Sequence, residues 1–182
     1  MNTNIEALIT ARDDLLTAIL SMAEQDNRFL AAWLAGSFGR GEHDAFSDLD
    51  LAIVVDDTTA EVLCQRTTMV HANATPERLT LFERFGEILS VHENHYNAPP
   101  SATFSNVVYR PSGLIVDWIL IPSAQASRPV VTQLLFDKVG IPSTGPLPVI
   151  QPEERADRLS ERVAFYWLLI FPTAKALLRG DA

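Results

Sequence analysis

Residue types that handle phosphate and metal ions are concentrated in the segment 34–55. Gly36-Ser37 follows one apolar run, and Asp48 and Asp50 open the next. Glycine allows the backbone to approach a phosphate closely, and successive backbone N–H groups form an anion-binding nest. Asp48 and Asp50 point to the same face of a strand, where one of them would be protonated unless a cation such as Mg²⁺ offsets their repulsion. The spacing therefore predicts a divalent-cation site beside a phosphate group.

A hydroxyl and a guanidinium extend this phosphate-binding segment. The Ser37 hydroxyl adds a hydrogen-bond donor, and the Arg40 guanidinium can pair with phosphate through two bonds. A surface ion pair of Arg40 with Glu42 or Asp44 is an equally good interpretation of that arginine. The segment is not a Walker loop, since no Gly-Lys-Ser/Thr occurs in the chain. Its glycine spacing also differs from the dinucleotide-binding fingerprint.

A third carboxylate, Asp117, lies in the apolar run 114–121. Alternation along a strand places it on the same face as the isoleucines of that run. Burying an unpaired carboxylate costs several kcal/mol, so Asp117 needs a cation or several hydrogen-bond donors. If this strand lies beside 48–55, one pair of metal ions would serve Asp48, Asp50 and Asp117 together.

The whole pattern resembles that of the nucleotidyltransferase superfamily, to which DNA polymerase beta belongs. More narrowly, it resembles the small bacterial aminoglycoside and lincosamide nucleotidyltransferases. The similarity covers 29–55 closely and 114–121 loosely. Its elements, in chain order, are Gly36-Ser37, Gly39 or Gly41, Ser47-Asp48-x-Asp50 and Asp117.

The resemblance implies a role for each matching residue. Asp48, Asp50 and Asp117 would be the metal ligands and catalytic residues, with two Mg²⁺ ions bound between them and the triphosphate of ATP or another NTP. Asp117 would also help to deprotonate the acceptor hydroxyl. Attack on the α-phosphate would then release pyrophosphate. The predicted nucleotide-binding residues are Gly36, Ser37, Arg40 and Ser47.

Other titratable side chains have simpler interpretations. His92, Glu93 and His95 lack the His-Glu-x-x-His order, so the sequence favours a surface or site-edge loop over a zinc site. Glu93 is retained as a possible second base or acceptor contact beside Asp117. Cys64 is interpreted as a small helix-packing residue, because no partner base is apparent.

The hydrophobic pattern predicts the elements that position these residues. An amphipathic helix is expected from residue 4 to about 25, with Arg12, Asp13 and Asp14 on its polar side. A second helix, capped by Thr58 or Thr59, would run to about residue 71. The other predicted elements are a helix at 76–85 and strands at 29–35, 48–55, 87–92, 103–110, 114–121 and 133–137. The turn residues Pro111-Ser112-Gly113 predict that 103–110 and 114–121 form a hairpin. The short strand 133–137 is expected at an edge of the sheet.

This order predicts an α/β (α+β) architecture with a small mixed sheet flanked by helices, and the resemblance implies the nucleotidyltransferase fold. Prolines and glycines at 141–152 mark the expected boundary between a catalytic domain, 1–140, and a Pro-rich linker with a helical appendage, 141–182. The short appendage suggests that a second subunit completes the acceptor pocket, so a homodimer is expected.

Composition narrows the class of protein. The formal net charge of −9, from 14 Lys+Arg against 23 Asp+Glu, argues against long nucleic acid as the main partner. No apolar run approaches the roughly 18 residues of a membrane span. A single cysteine excludes an internal disulfide framework, and the absence of a signal-peptide pattern predicts a cytoplasmic protein without a membrane partner.

The leading interpretation is a Mg²⁺-dependent nucleotidyltransferase that moves a nucleoside monophosphate, AMP by preference, from NTP to a hydroxyl of a small molecule. An antibiotic is the nearest guess for that acceptor. Two alternatives stay open at this point. The first is an antitoxin-type enzyme that modifies a partner toxin, and the second is a nucleotide-binding module without catalysis.

Overall fold

A six-stranded mixed sheet organises the residues that the computed structural model describes, which are 2–66, 74–93 and 98–145. In chain order, the helices and strands are α1 Asn2–Gln25, β1 Phe29–Leu34, α2 Gly36–Arg40, β2 Leu49–Val55, α3 Asp57–Leu63, α4 Pro76–Glu83, β3 Ile88–Glu93, β4 Thr103–Tyr109, β5 Leu114–Pro122, β6 Arg128–Pro129, β7 Gln133–Asp137 and β8 Ser143–Thr144. The strand order of the large sheet is β3-β4-β5-β2-β1-β7.

Strand directions confirm the predicted mixed sheet. β2 and β5 run parallel, and every other pairing in the large sheet is antiparallel. The β4–β5 hairpin turns at Pro111-Ser112-Gly113, as the turn residues predict. β7 pairs with β1 at one edge of the sheet, also as predicted. β6 and β8 form a separate two-stranded sheet.

The main core lies on one face of the sheet. Alternate residues of β2, namely Leu49, Leu51, Ile53 and Val55, are buried there with Trp118 of β5. Burying each such side chain stabilises the fold by roughly 1.5–3 kcal/mol. The opposite face carries a smaller cluster that includes Trp33, Val54 and Ile121. Because side chains alternate along a strand, Asp50 and Asp117 belong to this second face.

Helix α3 differs at both ends from the helix predicted to start at Thr58 or Thr59. Asp56, rather than Thr58 or Thr59, caps α3, since its carboxylate accepts the Thr59 N–H at 2.7 Å. Aspartate is at least as good an N-cap as threonine, so the pattern allowed either start. The helix ends at Leu63 instead of about residue 71, and 67–73 lie outside the described residues.

The helix at Pro76 agrees with its prediction more closely. α4 covers Pro76–Glu83, with Thr75 accepting the Arg78 N–H and proline in the first turn. The predicted linker and C-terminal appendage fall almost wholly on 146–182, outside the described residues, so the domain boundary stays a prediction. Within the described part, no helix combines the length and apolar character needed to cross a membrane.

Candidate nucleotide and cation site

The parallel pairing of β2 with β5 brings two of the predicted site carboxylates together. Asp50 and Asp117 are direct register partners, so their side chains project from neighbouring strands, roughly 5 Å apart, on one face. Asp48 lies two residues before Asp50, at the exposed start of the strand. The structure therefore places Asp117 beside Asp50, in the arrangement that the apolar setting of Asp117 indicated.

The electrostatics of the three carboxylates show that they share one environment. Burial raises the pKa of Asp117 to about 6, with the Asn106 hydrogen bond lowering it and the charges of Asp50 and Asp48 raising it further. Partial desolvation raises the pKa of Asp48 although its side chain is exposed, and the charge of Asp50 raises it further. Burial raises the pKa of Asp50, while the Arg40 charge opposes that shift. A cation at this site would relieve both the repulsion and the desolvation.

The pKa of Asp117 predicts a pH dependence for the stability of the metal-free protein. Its carboxyl titrates at about 6 in the fold, against a reference value of 3.8, so the folded state binds the proton more tightly. This stabilising contribution is complete below about pH 4 and is lost as the pH rises through about 6. Asp117→Asn should therefore gain stability relative to the wild type between pH 4.5 and 7.5, measured by urea unfolding. A stability difference between Asp117→Asn and the wild type that stays constant from pH 4.5 to 7.5 would contradict the raised pKa of Asp117.

Gly36 packs directly against the Asp50 carboxylate. A β-carbon at this position would overlap Asp50 Oδ2 and lie 2.6 Å from Asp50 Cγ. Gly36 also has φ +54°, a left-handed conformation that disfavours L side chains. The backbone of the first turn of α2 and the Asp50 carboxylate thus form one continuous surface.

Replacing Gly36 with alanine should disrupt this surface. The left-handed backbone alone costs roughly 1–2 kcal/mol with a β-carbon, and the overlap with Asp50 forces a further displacement. Gly113→Ala is the matched control, since Gly113 has φ +72° with nothing within 4 Å of its β-carbon position. We expect Gly36→Ala to lower the urea midpoint more than Gly113→Ala, and to weaken binding of a Mg²⁺–ATP analogue. If the two substitutions change the urea midpoint and the binding of the analogue equally, the contact between Gly36 and Asp50 contributes to neither.

The segment after β1 forms a short helix, α2. Ala35 is its N-cap residue and makes no side-chain hydrogen bond, and Ser37 lies half-buried in the first turn. Gly41 ends the helix in the left-handed conformation. Its N–H bonds to the Phe38 carbonyl at 3.0 Å, and the Glu42 N–H bonds to the Ser37 carbonyl at 2.9 Å. This double closure is a recurrent way of stopping a helix at glycine.

Arg40 makes the surface ion pair that the sequence allowed as an alternative. Its Nε donates to Glu42 Oε2 at 2.8 Å, and both side chains are largely exposed. The Arg40 charge still lowers the pKa of Asp50, so the guanidinium lies within electrostatic range of the carboxylates. A contact of Arg40 with the nucleotide stays a prediction.

Ser47 belongs to the turn that precedes Asp48. Its hydroxyl donates to Asp44 Oδ1 at 3.0 Å and accepts the Asp44 N–H at 2.9 Å. The Phe46 N–H donates to the same Asp44 oxygen at 2.9 Å. Ser47 therefore shapes the approach to Asp48, and its predicted contact with the nucleotide is untested.

Asn106 is a site residue that the sequence analysis missed. It lies on β4 opposite Asp117, and its Nδ2 donates to Asp117 Oδ1 at 2.6 Å. The pairing register continues to His92 on β3, so Asp50, Asp117, Asn106 and His92 form one row across four strands. The only sequence signal for this role was the asparagine itself, a polar residue within the predicted strand 103–110.

The donor set suits a hard divalent cation, since it consists of carboxylate oxygens from Asp48, Asp50 and Asp117. Within 2–66, 74–93 and 98–145, however, no three His, Cys, Asp or Glu side chains are already arranged as a metal cage.

Comparison with known families adds an independent observation to this geometry. Residues 19–97 match the nucleotidyltransferase domain. The match contains Gly36, Ser37, Asp48 and Asp50 but ends before Asp117, and it covers under half of the chain. No curated protein matches the chain significantly. The family match supports the nucleotidyltransferase superfamily, and the mixed sheet with flanking helices agrees with the fold of that superfamily.

Glu93 has a structural role, and the prediction that it is a second base or acceptor contact is wrong. Its carboxylate forms two bonds with the Arg78 guanidinium, at 2.6 and 2.7 Å, and accepts a third from the Ser105 hydroxyl at 3.0 Å. The Arg78 and Glu93 side chains are 0% and 1% exposed. Glu93 pairs with Ser105, one position from Asn106, so it lies on the face of the sheet opposite Asp117.

Arg12 on α1 is also placed differently from its prediction. The expected polar side of α1 included Arg12, but this residue is only 5% exposed. Its Nη1 donates to the Asp44 carbonyl at 2.7 Å, and its guanidinium lies 4.9 Å from the centre of the Phe38 ring. The His43 ring stacks on the Phe38 ring, with the two ring centres 4.1 Å apart. Arg12 therefore anchors α2 and the loop before Asp48 to the long helix.

Proposed function

We propose that this protein is a Mg²⁺-dependent nucleotidyltransferase that transfers AMP from ATP to a hydroxyl group of a small-molecule acceptor. The observation that carries the proposal is the register pairing of Asp50 with Asp117, with Asp48 in electrostatic range and Gly36 against the Asp50 carboxylate. The family match over residues 19–97 supports the same reaction class.

Each part of the site has a defined task in this proposal. Asp48, Asp50 and Asp117 hold the cations, which when bound neutralise charge on the triphosphate and on the leaving group. The backbone at Gly36 and Ser37 binds the terminal phosphates, because the first N–H groups of a helix have no partner within it. Arg40 and Ser47 complete the predicted nucleotide contacts.

Asp117 is the proposed base of the transfer. It accepts the proton of the acceptor hydroxyl as that oxygen attacks the α-phosphorus and the bond to pyrophosphate breaks. Its position suits this role, because Asp117 lies beside Asp50 on the face of the sheet that carries the proposed site. Glu93, the other carboxylate considered for this role, is buried against Arg78 on the opposite face.

The acceptor is proposed to be a small polyhydroxylated molecule, with an aminoglycoside or lincosamide as the first choice. The net charge of −9 disfavours long nucleic acid and suits a cationic acceptor such as an aminoglycoside. The row of polar side chains that continues from Asp117 through Asn106 to His92 provides hydrogen-bonding groups beside the proposed base.

The test follows both ends of the triphosphate. ATP labelled at either the α- or the γ-phosphate is incubated, in separate reactions, with Mg²⁺, the protein and a panel of aminoglycosides, lincosamides and hydroxyl-bearing proteins. We expect the α-label on a small acceptor and a γ-label in pyrophosphate, with both signals lost in Asp48→Asn and retained in the exposed control Asp14→Asn.

Other results would replace the proposal. A γ-label on the acceptor would indicate a phosphotransferase, and label on a protein acceptor would favour the antitoxin-type reaction. Nucleotide binding without any pyrophosphate release would favour a non-catalytic binding module. Transfer that persists at the wild-type rate in Asp48→Asn would exclude the proposed site.

A further inference from the structure

We propose that Asn106 is a positioning residue that gives the two oxygens of Asp117 different tasks. Its side-chain amide holds Oδ1, which leaves Oδ2 as the oxygen that faces the cation and the acceptor hydroxyl. This inference rests on the proposed function, because it concerns the same carboxylate site.

The backbone fixes the partners before any ligand binds. Asn106 and Asp117 are register partners in the β4–β5 hairpin, near the middle of the sheet. The bond from Asn106 Nδ2 to Asp117 Oδ1 is 2.6 Å, short for a hydrogen bond with a nitrogen donor. Among the described residues, no hydrogen bond reaches Asp117 Oδ2. One oxygen is therefore committed to the protein and the other is available.

The chemistry of an amide suits this task better than that of other side chains. The Asn106 Nδ2 group only donates, so its bond with Asp117 Oδ1 has one direction and holds that oxygen in place. An aspartate at position 106 would add a fourth negative charge to the site. An apolar residue would let the Asp117 carboxylate rotate about its last torsion, which is broad and roughly two-fold.

Holding the carboxylate in one orientation removes freedom that cation binding would otherwise have to restrict. Partners that orient metal ligands in this way typically change metal affinity or activity by about 10–100-fold when removed. The expected effect therefore falls on cation affinity at this site rather than on the fold, since Asn106 is half-exposed on the smaller-core face.

The experiment titrates Mn²⁺ into the full chain in the presence of a non-hydrolysable ATP analogue, and follows free Mn²⁺ by electron paramagnetic resonance. Asn106→Ala should weaken Mn²⁺ binding by about 10–100-fold. Asn106→Ser, whose hydroxyl is too short to reach Asp117, should do the same, while Asn106→Gln, which keeps the amide, should recover part of the affinity. Val108→Ala is the control, because Val108 lies on the same face of the same strand.

Each outcome bears on a specific claim. Wild-type Mn²⁺ affinity in Asn106→Ala or Asn106→Ser would overturn the positioning role. An equal loss in Val108→Ala would also overturn it, because the effect would then come from strand distortion. If the wild-type chain binds no Mn²⁺–nucleotide complex, the proposed function fails first and this inference fails with it.

Discussion

Replacing Asp50 with asparagine is expected to reduce nucleotidyl transfer by on the order of 10²–10³-fold or more while the chain stays folded. Asparagine has nearly the same shape but carries no charge, so the cation and the triphosphate lose a central ligand. Burial already raises the pKa of Asp50, so a neutral side chain costs the metal-free fold nothing. Thermal unfolding without Mg²⁺ should show an unchanged or higher midpoint, whereas pyrophosphate release should be lost.

The contrast between activity and stability is the informative part of this prediction. Asp14→Asn removes the same charge from an exposed position of α1 and should change neither quantity. If Asp50→Asn unfolds the chain, Asp50 is a structural residue. If the variant transfers AMP at the wild-type rate, the proposed site is wrong.

Removing Glu93 should have the largest effect on stability. Truncation to alanine leaves the Arg78 guanidinium buried without its charge partner, and breaking such a pair costs about 3–5 kcal/mol. Arg78 also binds the carbonyls of Leu63 and Gln65, at 2.8 and 2.6 Å, so α3, α4 and β3 should loosen together. Urea unfolding of Glu93→Ala measures the loss directly.

Two further variants distinguish a structural role from a catalytic one. Glu87→Ala breaks an exposed pair with Arg110, 3.6 Å long, and should change stability little. The double variant Arg78→Met with Glu93→Leu should recover much of the stability lost in Glu93→Ala, because it leaves no buried charge. A Glu93→Gln variant with full stability and no transfer activity would contradict the structural assignment.

The arrangement of Asp50 and Asp117 was predictable because apolar alternation fixes which residues are strands and which face each occupies. A carboxylate inside an apolar strand, such as Asp117, needs a cation or hydrogen-bond donors. A cation shared with Asp48 and Asp50 was the available solution. The hairpin at 111–113 and the edge position of β7 followed from turn residues and from the short, isolated run 133–137. The strand assignments and the hairpin depend on local sequence, whereas the pairing of β2 with β5 was only a condition of the prediction.

The role of Glu93 was not predictable, because it depends on pairing register. A shift of one residue between β3 and β4 would move Glu93 to the face of Asp117. Its ion-pair partner, Arg78, is fifteen positions away in sequence. The sequence pattern shows Arg78 only as a charged residue on a short amphipathic helix. Asn106 was missed for the same reason, since its contact with Asp117 exists only through the register of β4 with β5.

Arg12 and α2 show a different limit of sequence patterns. Helical periodicity assigns a charged residue to solvent, but Arg12 is covered by Phe38 and bonded to a carbonyl 32 positions away. A stretch containing three glycines has low helix propensity, yet Gly36 and Gly41 both adopt the left-handed conformation and bound one short helix. Tertiary contacts decided both outcomes.

A crystal structure with a non-hydrolysable ATP analogue and Mg²⁺ tests the central claim most directly. The claim is that Asp48, Asp50 and Asp117 form one cation and nucleotide site. The predicted result is Mg²⁺ bound by all three carboxylates, with the terminal phosphates against the backbone of Gly36 and Ser37. Nucleotide bound elsewhere, or Mg²⁺ held without Asp117, would contradict it.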